Sequence, residues 1–414
     1  MVGGTAAMLQ SMLRLFDTAT RSLRPVPVGD RPLRLYVCGI TPYEGGHLGH
    51  AFTYHTFDVL TRRLRSLGQD VHSVRNVTDV DDDILRVARE RGVSWQELAD
   101  TVTAEFDRDM AAISILDVDA APRASQHVAD MIDWISELER RGYAYRADGW
   151  VYFEVSRLRE YGSLSGLDAG EMRRLSAERG GDPDDPRKRA PLDFVLWQPS
   201  LPDEPAWASP WGDGRPGWHI ECSVLASGHL GTPVDIHGGG DDLVFPHHES
   251  EIAQAVGAGV SPYVSLWVHV AMVGYHGEKM SKSLGNLVFV SELLERVPPA
   301  TIRLMLAAHH HREAWEYTDP LLEAAEARRR RYAQAAQAGA TLDTREAERW
   351  RGEFLARVDE DLDTPGALRV ADALAERLAG APRAAGAAVE GGTLLRELLD
   401  LLGAASAAAG PPAG

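Results

Sequence analysis

Only two cysteines occur in the 414 residues, Cys38 and Cys222. So sparse a supply excludes a disulfide-stapled scaffold and reads as two isolated thiols of a reducing compartment. Apolar runs as long as the roughly eighteen residues of a membrane span are missing as well. Met1 to Leu13 lacks the basic patch and long apolar stretch of a secretory signal, so the cytoplasm is the expected location, with no membrane partner. Positive charge is in short supply: 43 Lys and Arg face 61 Asp and Glu, a formal net charge of −18. A chain devoted to nucleic acid usually carries a basic face, because phosphate neutralisation dominates affinity. The one dense basic run, Arg328 to Arg331, falls in a helical stretch and reads as a solvated helix face.

What is present suits a multi-domain enzyme. Apolar residues make up 44% of the chain, and its length exceeds what one core usually serves. Leu33 to Cys38 reads as a buried strand, with a loop beginning at Gly39. A helical pattern runs from Gly49 through Phe52, Phe57, Val59, Leu60 and Leu64 to a stop at Gly68. Val71 to Val77 then reads as a second strand and Asp82 to Arg91 as a helix. Strand, helix, strand in this order predicts an α/β fold with a parallel, Rossmann-like sheet.

Residues 97–145 look helical. The stretch 165–216, rich in Gly, Pro, Asp and Arg, reads as an insertion with long loops. Strand-like signals return at Trp218 to Cys222 and Val234 to His237. From about 295 onward the composition is helical, with a clear start at Thr364-Pro365, and Ala404 to Gly414 is expected to fray. The expected organisation is a catalytic domain over 1–300, interrupted by a connective insertion over about 113–210, and a helical region over 301–414.

Two elements carry phosphate chemistry. His47-Leu48-Gly49-His50 opens the first helix, whose N-terminus offers free N–H groups and a positive dipole end. The histidines there can add hydrogen bonds to a transition state at an α-phosphate, and Gly49 lets a nucleotide approach the backbone. Far downstream, Gly277 to Asn286 (GEKMSKSLGN) sets Lys279 and Lys282 in a glycine-flanked loop able to reach β- and γ-phosphates. His309, His310 and His311 sit in an apolar helical stretch and are not read as a metal site.

HxGH paired with KMSKS resembles the class I aminoacyl-tRNA synthetases. Further blocks narrow the resemblance to the cysteine-activating branch: Cys38-Gly39, Asn76 to Asp82 (NVTDVDD), Trp211 to Ser223 (WGDGRPGWHIECS) and Asp242 to Gln254 (DLVFPHHESEIAQ). With the KMSKS block they span roughly residues 13–320. The resemblance implies a class I Rossmann catalytic domain using ATP with Mg2+. It also implies one Zn2+ per chain on Cys38, Cys222 and His247. Glu251, four residues after His247 and on the same helix face, is a candidate fourth ligand. A zinc with thiolate and imidazole ligands can bind the sulfur of cysteine and thereby reject serine. By the same resemblance Thr41, Thr78, Trp218 and Asp242 line the cysteine pocket, with Asp242 pairing with the ammonium and available later as a base. His47, His50, Lys279, Lys282 and Asp242 are the implied catalytic set.

Two acceptors are known for cysteine activated in this way: a tRNA hydroxyl in cysteinyl-tRNA synthetases, and the amine of glucosaminyl-inositol in the related mycothiol-pathway ligases. Cys38-Gly39-Ile40-Thr41-Pro42-Tyr43 with HLGH looks like the ligases, as do Ala271 to Val290 and Ile302 to Asp319. The C-terminal region shows nothing similar to an anticodon-reading segment. Glu251, by contrast, looks like the synthetases. The expected activity is therefore ATP-dependent activation of L-cysteine and its ligation to glucosaminyl-inositol, releasing AMP and pyrophosphate. The alternatives are a cysteinyl-tRNA synthetase without the anticodon-reading segment and a silent ATP- or cysteine-binding paralogue. Small-molecule partners, no tRNA, and a monomer or weak oligomer are expected.

Overall fold

The computed structural model describes residues 13–280, 285–380 and 389–408. At its centre is a four-stranded parallel sheet in the order Trp267–Val270, Ile236–Gly240, Leu33–Ile40, Val71–Val77. The predicted βαβ unit is there, its helix running Leu48–Ser66 and ending before Gly68 in a left-handed turn (φ 80°). The strand Leu33–Ile40 is buried along nearly its whole length, as a sheet covered on both faces requires. Its register with Val71–Val77 shifts between Val37 and Ile40. Gly39 sits in that irregularity, its N–H bonded to Asn76 Oδ1 at 2.7 Å. A Cβ there would lie 1.6 Å from the Asn76 carbonyl oxygen, so only glycine lets the strand close up and present Cys38.

The insertion is more regular than its composition suggests. It holds an antiparallel sheet in the order Ala144–Ala147, Trp150–Phe153, Phe194–Pro199, Gly214–Pro216. The helix Val128–Arg140 packs on this sheet through Val128, Met131, Ile135 and Leu138. Within 165–216, expected as loops, lie the helix Ala169–Glu178 and two of these strands. The expected strand at Trp218 to Cys222 is the start of the helix Trp218–Leu230 instead. Ile220 to Ala226 of that helix are all buried, so no polar face marks its period in the sequence.

The expected boundary at residue 300 falls in the first turn of the helix Pro299–Ala307. One apolar core continues across it, joining Leu35 and Phe52 to Leu304, Leu322, Leu374 and Leu398. Arg303, fully buried, ties the two halves: Nε donates to the Leu402 carbonyl at 2.9 Å and a terminal nitrogen pairs with Asp58 of the helix that HxGH opens. Beyond 404, residues 405–408 form a short 3-10 turn with Ala407 and Ala408 buried, so the part of the tail described here is packed. The basic run lies on the helix Asp319–Gln337, where Arg328 and Arg331 pair with Asp372, and Arg329 and Arg330 with Glu326. Among the described residues, no helix is long and apolar enough to cross a membrane.

Candidate active site and metal centre

A cavity of about 950 Å³ opens at the C-terminal ends of the parallel strands, lined there by Cys38, Gly39, Gly240, Asp242 and Ala271. This is where an open α/β sheet places its ligands. Where Cys38 lines it, the two cysteines of the chain meet, with Sγ atoms 3.8 Å apart and both buried. His247 reaches the same point from the turn Val244–His248, and Glu251 from the helix Glu249–Gly257. Glu251 Oε1 lies 3.3 Å from His247 Nε2 and 3.9 Å from Cys38 Sγ.

Cys38, Cys222, His247 and Glu251 thus offer four ligand atoms all within 4.8 Å of one another. Burial pushes the Cys38 thiol well up, with Cys222 alongside adding to the shift, and burial pushes Cys222 up too. Burial likewise drives His247 down to about 3, which leaves its imidazole neutral. Two desolvated thiols and a neutral imidazole fit a soft divalent cation, which would supply the charge that burial alone denies the thiolates.

A second group of the same kind shares two members: Cys38, His237, His248 and Glu251. Its histidines already have partners. His248 Nε2 lies 3.1 Å from Cys38 Sγ, and its Nδ1 lies 2.7 Å from Nε2 of His269, whose Nδ1 meets the Thr18 hydroxyl at 2.7 Å. His237 Nε2 is 3.0 Å from Glu251 Oε2, and the Tyr263 hydroxyl donates to the same oxygen at 2.8 Å. Burial opposes ionisation of Glu251, but His237, His247 and Tyr263 outweigh it and hold its carboxyl below the usual range. The second group therefore reads as the frame that aims Glu251 Oε1 and Cys38 at the first.

At the nucleotide end His47 caps the helix Leu48–Ser66, its Nδ1 accepting from the His50 N–H at 3.4 Å. The two rings stack at 3.8 Å over Gly49, where a Cβ would come within 3.0 Å of the His47 ring. His47, Gly49, His50, Thr41, Trp218 and Asp242 all line the cavity. Trp218 stacks on His247 with centroids 4.3 Å apart, making an aromatic wall against the metal group. Asp242 is steered by its neighbours: a Cβ on Gly240 would lie 2.6 Å from Asp242 Oδ1, and Arg179 donates to the Asp242 and Phe245 carbonyls. Thr78 sits behind the wall, buried, its hydroxyl donating to Glu221 at 2.7 Å. Lys279 ends the hairpin strand Glu278–Lys279, which pairs with Val273–Tyr275, and Met280 beside it lines the cavity. Lys282 lies outside the described residues.

The family description "tRNA synthetases class I (C) catalytic domain" matches residues 25–327. The L-cysteine:1D-myo-inositol 2-amino-2-deoxy-alpha-D-glucopyranoside ligase of Nocardiopsis dassonvillei is 48% identical over 369 residues, 88% of this chain and 89% of that protein. The protein of the same name from Streptosporangium roseum is 46% identical over 396 residues, 94% of each chain. The chain belongs to this ligase family. Among solved structures, Mycobacterium tuberculosis methionyl-tRNA synthetase in complex with methionyl-adenylate superposes with a TM-score of 0.61 at 17% identity, over 91% of this chain and 90% of that one. At that identity the likeness shows a shared class I fold. For a member of the ligase family, the predicted residues the structure brings together are the metal group, the two HxGH histidines, Thr41, Trp218 and Asp242.

Five site residues escaped sequence reasoning. His248 was legible only as the second half of a histidine doublet. His237, Tyr263 and the insertion residues Arg179 and Lys188 carried no motif of their own that pointed to the cavity.

Proposed function

We propose that this chain activates L-cysteine with ATP as cysteinyl-adenylate and joins it to the amine of glucosaminyl-inositol, releasing AMP and pyrophosphate, a step of mycothiol biosynthesis. The single observation that carries the reading is the meeting of both cysteines with His247 beside the cavity that Cys38, Trp218, His47 and His50 line. Cys38, Cys222 and His247, with Glu251 beside them, would hold zinc, a Lewis acid that would favour the sulfur of cysteine over the oxygen of serine.

The residues of the chain do the rest. Asp242 pairs with the cysteine ammonium and Trp218 closes the side of the pocket. The substrate carboxylate is thereby aimed at the α-phosphate, with reacting atoms held in place rather than met by chance. As the bond to oxygen forms and pyrophosphate leaves, His47 and His50 donate to the α-phosphate at the helix N-terminus. Lys279 and Lys282 serve the leaving pyrophosphate. The acceptor amine then attacks the carbonyl carbon, AMP departs, and Asp242 is placed to take the proton. Cysteine-dependent exchange of pyrophosphate into ATP tests the first half: the reading expects exchange with cysteine and little with serine, and equal exchange with both would overturn it.

A further inference from the structure

The cavity has two walls of different origin. The strand ends and the HxGH helix form the donor side, whereas the opposite side comes from the insertion, chiefly residues 176–195 with Trp150. Much of this wall lacks regular structure, yet it is held at both ends by buried carboxylates. Asp185 accepts from the Tyr152 hydroxyl at 2.6 Å and the Arg187 N–H at 3.0 Å. Asp193 accepts from the Tyr145 hydroxyl at 2.8 Å and from the Ala190 and Val155 N–H groups at 3.0 and 2.9 Å.

Between these clamps Arg187 and Arg189 are laid over the aromatics of the antiparallel sheet, Arg187 4.0 Å from the Trp150 ring and Arg189 4.1 Å from Tyr145. Lys188 stands between them and lines the cavity. Its backbone N–H donates to the Asp185 carbonyl at 3.0 Å, but among the described residues its ammonium makes neither an ion pair nor a hydrogen bond, although Asp182, Asp185 and Asp193 are within reach of its charge. His219, whose Nδ1 lies 3.0 Å from Nδ1 of His247, lines the same cavity. Lys188 thus lines the cavity that Trp218 and His219 also line, on a strap clamped at both ends, with its ammonium uncommitted.

We propose that Lys188 is a specificity-determining residue that binds the acceptor, donating hydrogen bonds to hydroxyl groups of an aminated polyol seated on the insertion wall. The proposal rests on the ligase reading and names the side of the cavity that the acceptor occupies. An ammonium holds three donors and no acceptor, which suits hydroxyl oxygens. The exposed carboxylate of Asp182 on the same wall suits an acceptor that arrives as a cationic amine. A rigid strap carrying an unpaired cation loses little entropy when the acceptor docks.

The test uses the full-length, zinc-loaded enzyme and its Lys188→Met and Lys188→Arg variants. Cysteine-dependent pyrophosphate exchange and amide formation with glucosaminyl-inositol are measured side by side. The expected result is exchange close to wild type in both variants. In Lys188→Met the KM for the aminosugar rises about ten- to a hundred-fold, the loss of one charge-assisted hydrogen bond, and Lys188→Arg recovers part of it. Parallel loss of exchange and ligation, or no change in either, overturns the assignment. A wild-type enzyme that exchanges pyrophosphate yet forms no amide overturns the ligase reading itself, and the assignment with it.

Discussion

Glu251 Oε1 lies 3.3 Å from Nε2 of His247, four residues earlier in the chain, while Glu251 Oε2 is held by His237 and Tyr263. One carboxylate therefore joins the two overlapping histidine and cysteine groups, and the proposed zinc centre is the one with both cysteines and His247, on which Trp218 of the cavity lining stacks. Cys38→Ala and His247→Ala are expected to lose zinc and cysteine binding together. His248→Ala should keep its metal with affinity lowered about ten- to a hundred-fold, as for loss of an orienting partner. Metal content after dialysis decides, and stoichiometric zinc in both Cys38→Ala and His247→Ala would contradict the assignment.

In the proposed reaction Lys279 and Lys282 serve the leaving pyrophosphate and not the metal. Alanine at either position should slow cysteine-dependent exchange about a hundredfold, the scale for losing one transition-state contact, with zinc content unchanged. Wild-type exchange would remove them from the phosphate site.

Asp185 gives the strap a pH signature. Burial works against its ionisation, but Arg187 and the Tyr152 hydroxyl outweigh it and hold the carboxyl at about 2. Because the folded value lies below the unfolded one, the stabilisation is complete above about pH 4 and is lost as pH falls toward 2. It amounts to about 1–2 kcal/mol. Asp185→Asn should be less stable than wild type by about that amount at pH 7 in urea unfolding, with the gap narrowed by roughly half at pH 3. A gap that does not change with pH would contradict the ion-pair account.

Arg303 and Asp58 form a buried pair with side chains 0% and 1% exposed, linking the HxGH helix to the carbonyl of Leu402. Arg303→Met strands a carboxylate that Arg62 neutralises only from one side. The expected loss is about 3 kcal/mol in chemical denaturation, and a loss under about 1 kcal/mol would mean that the two halves are joined by apolar packing alone.

Much of the donor half of the site was legible because local sequence forces it. The strand Leu33–Ile40 is apolar but for Arg34, His47 to His50 stands where the helix must begin, and Thr364-Pro365 starts a helix as its composition dictates. Trp218 to Cys222 misled because a helix buried on every side has no polar face to reveal its period. The insertion misled for a different reason. Its strands are only three to six residues long and flanked by Gly and Pro, and pairing between distant segments holds them. Lys188 was invisible for the same reason, since its placement depends on Asp185 and Asp193 finding tyrosines about 33 and 48 residues away.

The account turns on the acceptor. Purified enzyme with ATP, Mg2+ and cysteine should be offered glucosaminyl-inositol and bulk tRNA separately, with products read by mass spectrometry and by tRNA charging. The account predicts the cysteinyl amide of the aminosugar and uncharged tRNA. Charged tRNA with no amide would contradict it.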